Sequence, residues 1–181
     1  MKRVICVLCS LAMMLVYIGG CGAATGNPFT AENAIKGQVG DLYYVVPENA
    51  TLDDESPDGL LTFHVPIENS TEEHILNILY SCPDDQESYE IFLKYYQSVK
   101  ETAEESSEKF GDVIVEVQEL TEFLGRSVDY GFMMTQEAEG KRSISVYAAS
   151  SKKLYLISYI AKTAFYDQTF WDNFYTQLKF V

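Results

Sequence analysis

Apolar and polar residues alternate along much of the chain from residue 41 onward, a pattern that indicates strands with one face in a hydrophobic core. The run LYYVVP predicts a strand that Pro47 ends. Two further runs, over residues 60–67 and 74–81, flank the polar stretch ENSTEE and predict a β-hairpin.

The period changes after Pro83, where apolar residues recur at the three- and four-residue spacing of a helix. This repeat predicts a helix over about residues 85–106, before Gly111. Asp84 is placed to cap its first turn, and Glu87 completes a capping box. The apolar positions of this helix are Tyr89, Phe92, Leu93, Tyr96, Val99 and Ala103.

Four more strands follow, in VIVEVQEL, RSVDYGFMMT, SISVYAA and LYLISYIA, and the short turns between them favour an antiparallel meander. A stripe of Phe170, Trp171, Phe174 and Leu178 predicts a last helix that starts near Asp167. The order strands, helix, strands, helix lacks the alternation of a parallel doubly wound sheet. We therefore expect an α+β fold, with a twisted antiparallel sheet of about six to seven strands flanked by two main helices.

The first residues have the pattern of a secretory signal. Met1-Lys2-Arg3 precedes an apolar run over residues 4–18, which is shorter than the about 20 residues that span a bilayer. The sequence Ile18-Gly19-Gly20-Cys21 resembles the lipobox of bacterial lipoproteins, which implies cleavage before Cys21 and a diacylglyceryl group on its thiol. We expect a lipid-anchored protein of the bacterial cell envelope, outside the cytoplasmic membrane. The alternative is an ordinary cleaved signal with an incidental cysteine.

Composition divides the chain into three parts. Residues 1–20 form the predicted lipoprotein signal peptide, and residues 21–40, which carry few bulky apolar side chains, predict a lipidated cysteine and a flexible tether. Random-coil scaling gives that tether an r.m.s. span of about 25 Å. Residues 41–181 are long enough for one hydrophobic core and predict a single globular domain.

The strongly acidic charge narrows the choice of partners. The formal net charge is −14, and loss of Lys2 and Arg3 with the signal leaves 11 basic against 27 acidic residues, or −16. Such a chain repels nucleic acid and anionic lipid headgroups. We therefore expect the attached lipid to hold the protein on the membrane, and the remaining partner to be another protein.

The cysteines exclude an intramolecular disulfide in the mature chain. Cys6 and Cys9 leave with the signal and Cys21 is modified, so that Cys82 remains alone. No basic residue adjoins it in sequence to lower its pKa, and we expect a buried small hydrophobic side chain rather than a reactive thiol.

The acidic stretch DDESPDG offers a candidate calcium loop over residues 53–58. Asp54, Ser56, Asp58 and Gly59 fall at positions 1, 3, 5 and 6 of such a loop. Position 12 is Val65 rather than Glu, and a strand follows instead of a helix. A solvated acidic turn is the preferred interpretation, with weak calcium binding as the alternative.

Candidate catalytic groups are few. Matching the apolar faces of the predicted hairpin puts His64 and His74 on opposite sides of the sheet, which argues against a zinc site. The sequence contains neither a G-x-S-x-G elbow nor a glycine-rich phosphate loop between strand and helix. We predict no catalytic, cofactor-binding or metal-binding residues, and a protein that is not an enzyme.

The thirteen tyrosines suit a core of half-buried side chains. Tyrosine is also enriched at binding surfaces. If the protein has such a surface, we expect exposed tyrosines on one sheet face or in a cleft.

Three stretches carry a resemblance to a known superfamily. They are YYVVPENATL with DGLLTFHVP, ELTEFLGRSVDYGFMM with Gly125 at its turn, and KLYLISYIAKTAFYDQTFWDNFYTQLKFV. Their order resembles the PsbP-like proteins, which include extrinsic PsbP subunits, Ran-binding Mog proteins and small bacterial lipoproteins. The resemblance spans residues 42–181 and implies an α/β/α sandwich in a mostly non-enzymatic family that binds proteins or assists membrane complexes.

Together these observations predict a membrane-anchored extracytoplasmic lipoprotein whose domain is a non-catalytic module for binding a protein or ligand, or for assembly. The alternatives are a hydrolase or other enzyme with a site built by tertiary contacts, and a structural module steadied by calcium.

Overall fold

The computed structural model describes residues 27–57, 59–109 and 113–181. Within these ranges the chain forms twelve strands and two α-helices. The strands are β1 Ile35–Val39, β2 Leu42–Val46, β3 Thr51–Leu52, β4 Leu60–Pro66, β5 Glu73–Ser81, β6 Ile114–Glu119, β7 Glu122–Phe123, β8 Arg126–Ser127, β9 Tyr130–Ala138, β10 Lys141–Ser150, β11 Lys153–Lys162 and β12 Lys179–Phe180. The helices are α1 Gln86–Lys109 and α2 Gln168–Gln177, and a 3-10 turn covers Thr163–Phe165.

Seven strands form the main sheet in the order β3-β4-β5-β11-β10-β9-β6. Every pairing in it is antiparallel. A smaller sheet has the order β1-β2-β12, and β7 pairs with β8. The predicted α+β class, with two helices on an antiparallel sheet, is confirmed.

One face of the main sheet is covered by α2, the small sheet and the N-terminal segment; we call it the α2 face. Directly paired residues share a face, and the pairs Phe63 with Leu76 and Ile78 with Ile157 lie on this side. These side chains belong to a hydrophobic cluster with Phe174 of α2. Leu42 and Val46 from β2 complete the same cluster, so this face carries the main core.

The opposite side, the α1 face, carries a smaller core under α1. Here Tyr89 and Tyr96 of the helix pack on Phe132, Met134 and Leu154. Val115 and Val117 extend this packing to β6. Helix α1 therefore lies over the half of the sheet formed by β10, β9 and β6.

The predicted tether over residues 21–40 is wrong for residues 27–40. Phe29 is 2 % exposed and packs edge-on against Phe170 of α2, with ring centroids 5.0 Å apart. Asn27 donates a 2.9 Å hydrogen bond to Asn173, and β1 pairs with β2. Residues 27–40 belong to the domain because one buried aromatic ring and a hairpin fix them, although their composition is poor in bulky residues.

The predicted helices are confirmed, with one change of cap. The backbone N–H of Ser88 donates to the carboxylate of Asp85 at 2.7 Å, so that Asp85 rather than Asp84 caps α1. Asp167 caps α2 by accepting from the backbone of Thr169 and Phe170. Within the described ranges, no helix combines the length and the apolar character needed to cross a membrane.

Candidate protein-binding surface

Part of the α1 face forms an apolar floor that α1 does not cover. The pairings of β4, β5 and β11 place Leu60, Leu79 and Leu156 in one row across the sheet. A second row contains Ile75 and Ile160. These five aliphatic side chains are partly buried, yet they pack against neither hydrophobic cluster of the described residues. We call this area the open floor.

A row of uncharged polar side chains runs between the two aliphatic rows. Thr62 donates a 2.9 Å hydrogen bond to the carbonyl oxygen of the Asn77 side chain, and the Asn77 amide donates to Ser158 at 2.9 Å. All three side chains are buried among their taller neighbours. Because these side chains hydrogen-bond to one another, an apolar partner can cover them without leaving buried polar groups unpaired.

His64 lies at the edge of the open floor and completes the second row. It pairs directly with Ile75, and its Nδ1 lies 2.8 Å from a carboxylate oxygen of Glu73. It is the one titratable side chain in the three rows on β4, β5 and β11. The floor therefore differs from an ordinary solvated sheet face, which carries long polar and charged side chains.

Helix α1 supplies a wall beside this floor. At 100° per residue, Ile91, Phe92 and Tyr95 fall within one arc of about 100°, next to the arc that is buried on the sheet. They are 60 %, 39 % and 53 % exposed, respectively. We call these three residues the apolar stripe. An arc of apolar residues that extends beyond the buried arc indicates a second contact surface on the helix.

The direction of the apolar stripe follows from the charged flank of α1. The carboxylates of Glu101 and Glu104 interact electrostatically with Tyr130, at the start of β9. Lys100 donates a 2.7 Å hydrogen bond to Glu119. Because Glu119 lies on the edge strand β6, that flank faces the β6 edge of the sheet. The apolar stripe occupies the opposite flank, and it therefore faces away from the β6 edge.

Acidic residues surround one end of the open floor. Asp53, Asp54 and Glu55 lie in the loop before β4, whose first residue is Leu60. Asp84 and Asp85 follow the end of β5, whose residue Leu79 pairs with Leu60. We call these five residues the acidic rim. None of them belongs to a salt bridge in the described part of the chain, and Lys152 is the basic residue that interacts electrostatically with Asp85.

The calcium loop that the sequence leaves as an alternative includes Asp58, so the described residues do not test it. The Asp53 carboxylate accepts from the backbone N–H of Glu55 at 2.9 Å, as in a turn. No group of three or more potential metal ligands is found among the described residues, while Asp58 lies outside them.

The histidines lie on opposite faces, as predicted. Val65 pairs with His74 and Ile75 with His64, so that successive side chains alternate between the α2 and α1 faces. His74 stacks on Phe170 with centroids 4.2 Å apart, and its Nδ1 lies 2.9 Å from the Tyr159 hydroxyl. Burial lowers the pKa of His74 to about 4, against a weaker raising effect of Asp167.

The Tyr159 hydroxyl makes two hydrogen bonds here. It accepts from the backbone N–H of Asp167 at 2.9 Å and shares a second bond of 2.9 Å with Nδ1 of His74. His74 links β5 to the start of α2. Neither histidine contact forms the Ser–His or Cys–His pair used in nucleophilic catalysis.

An ionic cluster fixes the small sheet at the rim of the α2 face. The Asp41 carboxylate accepts from Lys153 at 2.7 Å and from the Tyr155 hydroxyl at 2.9 Å, and Arg126 lies at 3.6 Å. Burial alone would raise the pKa of Asp41, but the hydrogen bonds from Lys153 and Tyr155 outweigh it and lower the pKa below its ordinary value. Arg126 also lies 3.9 Å above the ring of Phe180. The cluster joins β11, β8, β12 and the β1–β2 turn.

The prediction that Cys82 is buried is wrong. Cys82 is exposed, because it follows Ser81, the last residue of β5, and extends beyond the sheet. The predicted packing of the tyrosines is confirmed for Tyr89, Tyr96, Tyr155 and Tyr159, which are buried. The exposed Tyr95 lies on a helix, beside the sheet face rather than on it.

Comparison with known proteins does not identify the chain. No protein-family model matches it, and no curated protein matches it significantly. The resemblance to PsbP-like proteins therefore stays a prediction. The predicted lipidation site, Cys21, and the signal before it lie outside the described residues.

Proposed function

We propose that this protein is a lipid-anchored, extracytoplasmic module that binds another protein through the open floor and the apolar stripe. The observation that carries the proposal is the open floor. Five aliphatic side chains lie in two rows on the sheet and contact neither described core cluster. These side chains are partly exposed, and contiguous apolar areas that stay accessible mark interaction sites in soluble domains.

The position of the N-terminal segment supports the proposed orientation. Only residues 22–26 separate Cys21 from Asn27, a path of about 20 Å when fully extended. Asn27 is bound to α2, on the α2 side of the main sheet. A lipid on Cys21 would keep the α2 side near the bilayer and leave the open floor accessible to a partner.

The anchor is tested by changing the thiol that would carry the lipid. In the source cells, we expect the wild-type protein in the membrane fraction and the Cys21→Ser variant in the soluble extracytoplasmic fraction. Cys82→Ser is the matched control and should remain with the membrane. A bare Cys21 thiol or a retained residue 1–20 segment, detected by mass spectrometry, would overturn the anchor.

The binding role is tested by photo-crosslinking in intact cells. A photoreactive residue at Ile75, on the open floor, should give a discrete crosslinked protein. The same residue at Ile114, which is 58 % exposed at the far edge of the sheet on the other face, is the control. Equal crosslinking from both positions, or none from Ile75, would contradict the proposal.

A further inference from the structure

We propose that the partner covers the open floor with an amphipathic α-helix. The apolar side of that partner helix is bordered by lysine and arginine residues. This inference rests on the proposed function and adds the chemistry of the partner. It follows from the width of the open floor, the side chains on it and the charge around it.

The width of the open floor suits one helix. It extends across β4, β5 and β11, three adjacent strands, which together measure about 14 Å. An α-helix with its side chains is about 10–12 Å wide. A helix laid here would lie beside α1 and contact Ile91, Phe92 and Tyr95, which together span about one turn of α1. The partner helix would then contact apolar side chains both on the sheet below it and on α1 beside it.

The side chains of the floor fit the spacing of a helix. The two aliphatic rows are four residues apart along β5, from Leu79 to Ile75, which is about 13 Å. Residues i and i+7 of a helix are about 10.5 Å apart along its axis and lie within about 20° of the same face. A partner helix can therefore place aliphatic side chains over both rows, with a small residue over Asn77 between them.

The negative charge around the open floor favours a basic partner. The acidic rim has no salt-bridge partner in the described part of the chain, and Glu87, one turn before Ile91 on α1, adds a negative charge beside the apolar stripe. A helix with lysine or arginine beside its apolar residues would meet this charge. A second copy of this chain would meet its own negative charge, and so would an anionic membrane.

The probe is a designed helical peptide of 18 residues, with leucine on one face and lysine on the other. Its matched control replaces every lysine with glutamate. The protein is the chain from residue 21 onward with Cys21→Ser, which retains all the described residues. NMR amide shifts should map the Leu/Lys peptide to β4, β5, β11 and the apolar stripe, without the need for a variant.

Variants then test the floor itself. Ile75→Lys should weaken binding of the Leu/Lys peptide about tenfold, because a charge replaces a buried aliphatic contact. Ile160→Gln, in the same row, provides a milder change if Ile75→Lys lowers the melting temperature. The control Ile114→Lys should leave the dissociation constant within about twofold, and the Leu/Glu peptide should bind at least about tenfold more weakly.

Four results would overturn the inference: absence of saturable binding, equal loss in Ile75→Lys and Ile114→Lys, a dimer in sedimentation that Ile75→Lys dissociates, or adsorption to phosphatidylcholine–phosphatidylglycerol vesicles that Ile75→Lys abolishes. If Ile75 crosslinks to a protein in cells but the peptide does not bind, the inference of a basic helical partner is rejected and the proposed binding function stands. If both experiments fail, the inference and the proposed function are both rejected.

Discussion

The two faces of the main sheet differ in how completely the chain covers them. On the α2 face, α2, β2 and the segment around Phe29 enclose Phe63, Leu76 and Ile157 in one core. On the α1 face, one helix encloses only the side chains of the strands from β10 to β6, together with Leu154. Both faces of β5 and β11 carry several aliphatic side chains, and they differ in how many covering elements lie on them. This sheet therefore has the sequence of a layer buried on both sides, although the described elements leave part of one side uncovered.

The largest expected effect is a loss of core packing on the covered face. Phe174 is fully buried, and Phe174→Ala should lower the free energy of unfolding by about 3–5 kcal/mol through the cavity it leaves. Leu79→Ala, on the open floor, should cost only about 1 kcal/mol, since less area returns to water. Urea denaturation measures both. Equal losses would mean that the floor is enclosed like the core.

The N-terminal segment should behave as part of the covered face. Phe29→Ala removes a buried ring that packs on Phe170 and Phe174, and should cost about 3 kcal/mol. The matched control is Phe165→Ala, since Phe165 is exposed, and its effect should stay within about 0.5 kcal/mol. If Phe29→Ala left the free energy of unfolding unchanged, this segment would be a tether rather than part of the domain.

The contact between His74 and Tyr159 should make the covered face sensitive to acid. The unfolded imidazole takes up a proton near pH 6.5, whereas burial lowers the folded pKa to about 4. Stability should therefore fall as the pH drops from about 6.5 to about 4, because the unfolded state binds the extra proton. His74→Gln should flatten the profile of unfolding free energy in this window. An unchanged slope in the variant would contradict the role of His74.

A smaller pH effect is expected at Asp41. Its carboxylate is ionised in the fold and accepts hydrogen bonds from Lys153 and Tyr155, and Asp41→Asn should cost about 1 kcal/mol at pH 7. Because the folded pKa is lowered, this stabilisation is present above pH 3.8 and is lost as the pH falls below it. The exposed Asp54→Asn is the control. A stability difference between wild type and Asp41→Asn that does not shrink as the pH falls below 3.8 would exclude this account.

The sequence periods predicted most of the fold because long elements repeat the same apolar spacing many times. The hairpin register, with Val65 opposite His74, followed from matching apolar faces. The strand β1 was missed, since IKGQV has no clear alternation and is fixed by pairing with β2. Phe29 was missed because a single aromatic residue in a small, polar segment has no period.

The open floor was not predicted, although the sequence contains a signal for it. The runs LLTF, HILNILY and LYLISYI are almost continuously apolar, which is typical of strands buried on both faces. Two predicted helices are too few to cover both faces of a seven-stranded sheet. Which part remains uncovered depends on where α1 crosses the sheet, and that position is a tertiary contact that sequence spacing does not specify.

The most direct test of the open floor is solvent relaxation of methyl NMR signals by a soluble gadolinium agent. Methyl groups of Leu79, Ile75 and Ile160 should relax strongly, while those of Leu76 and Ile78, adjacent on β5 but on the α2 face, should be protected. Equal protection of both sets would contradict the account, because the floor would then be closed within the chain itself.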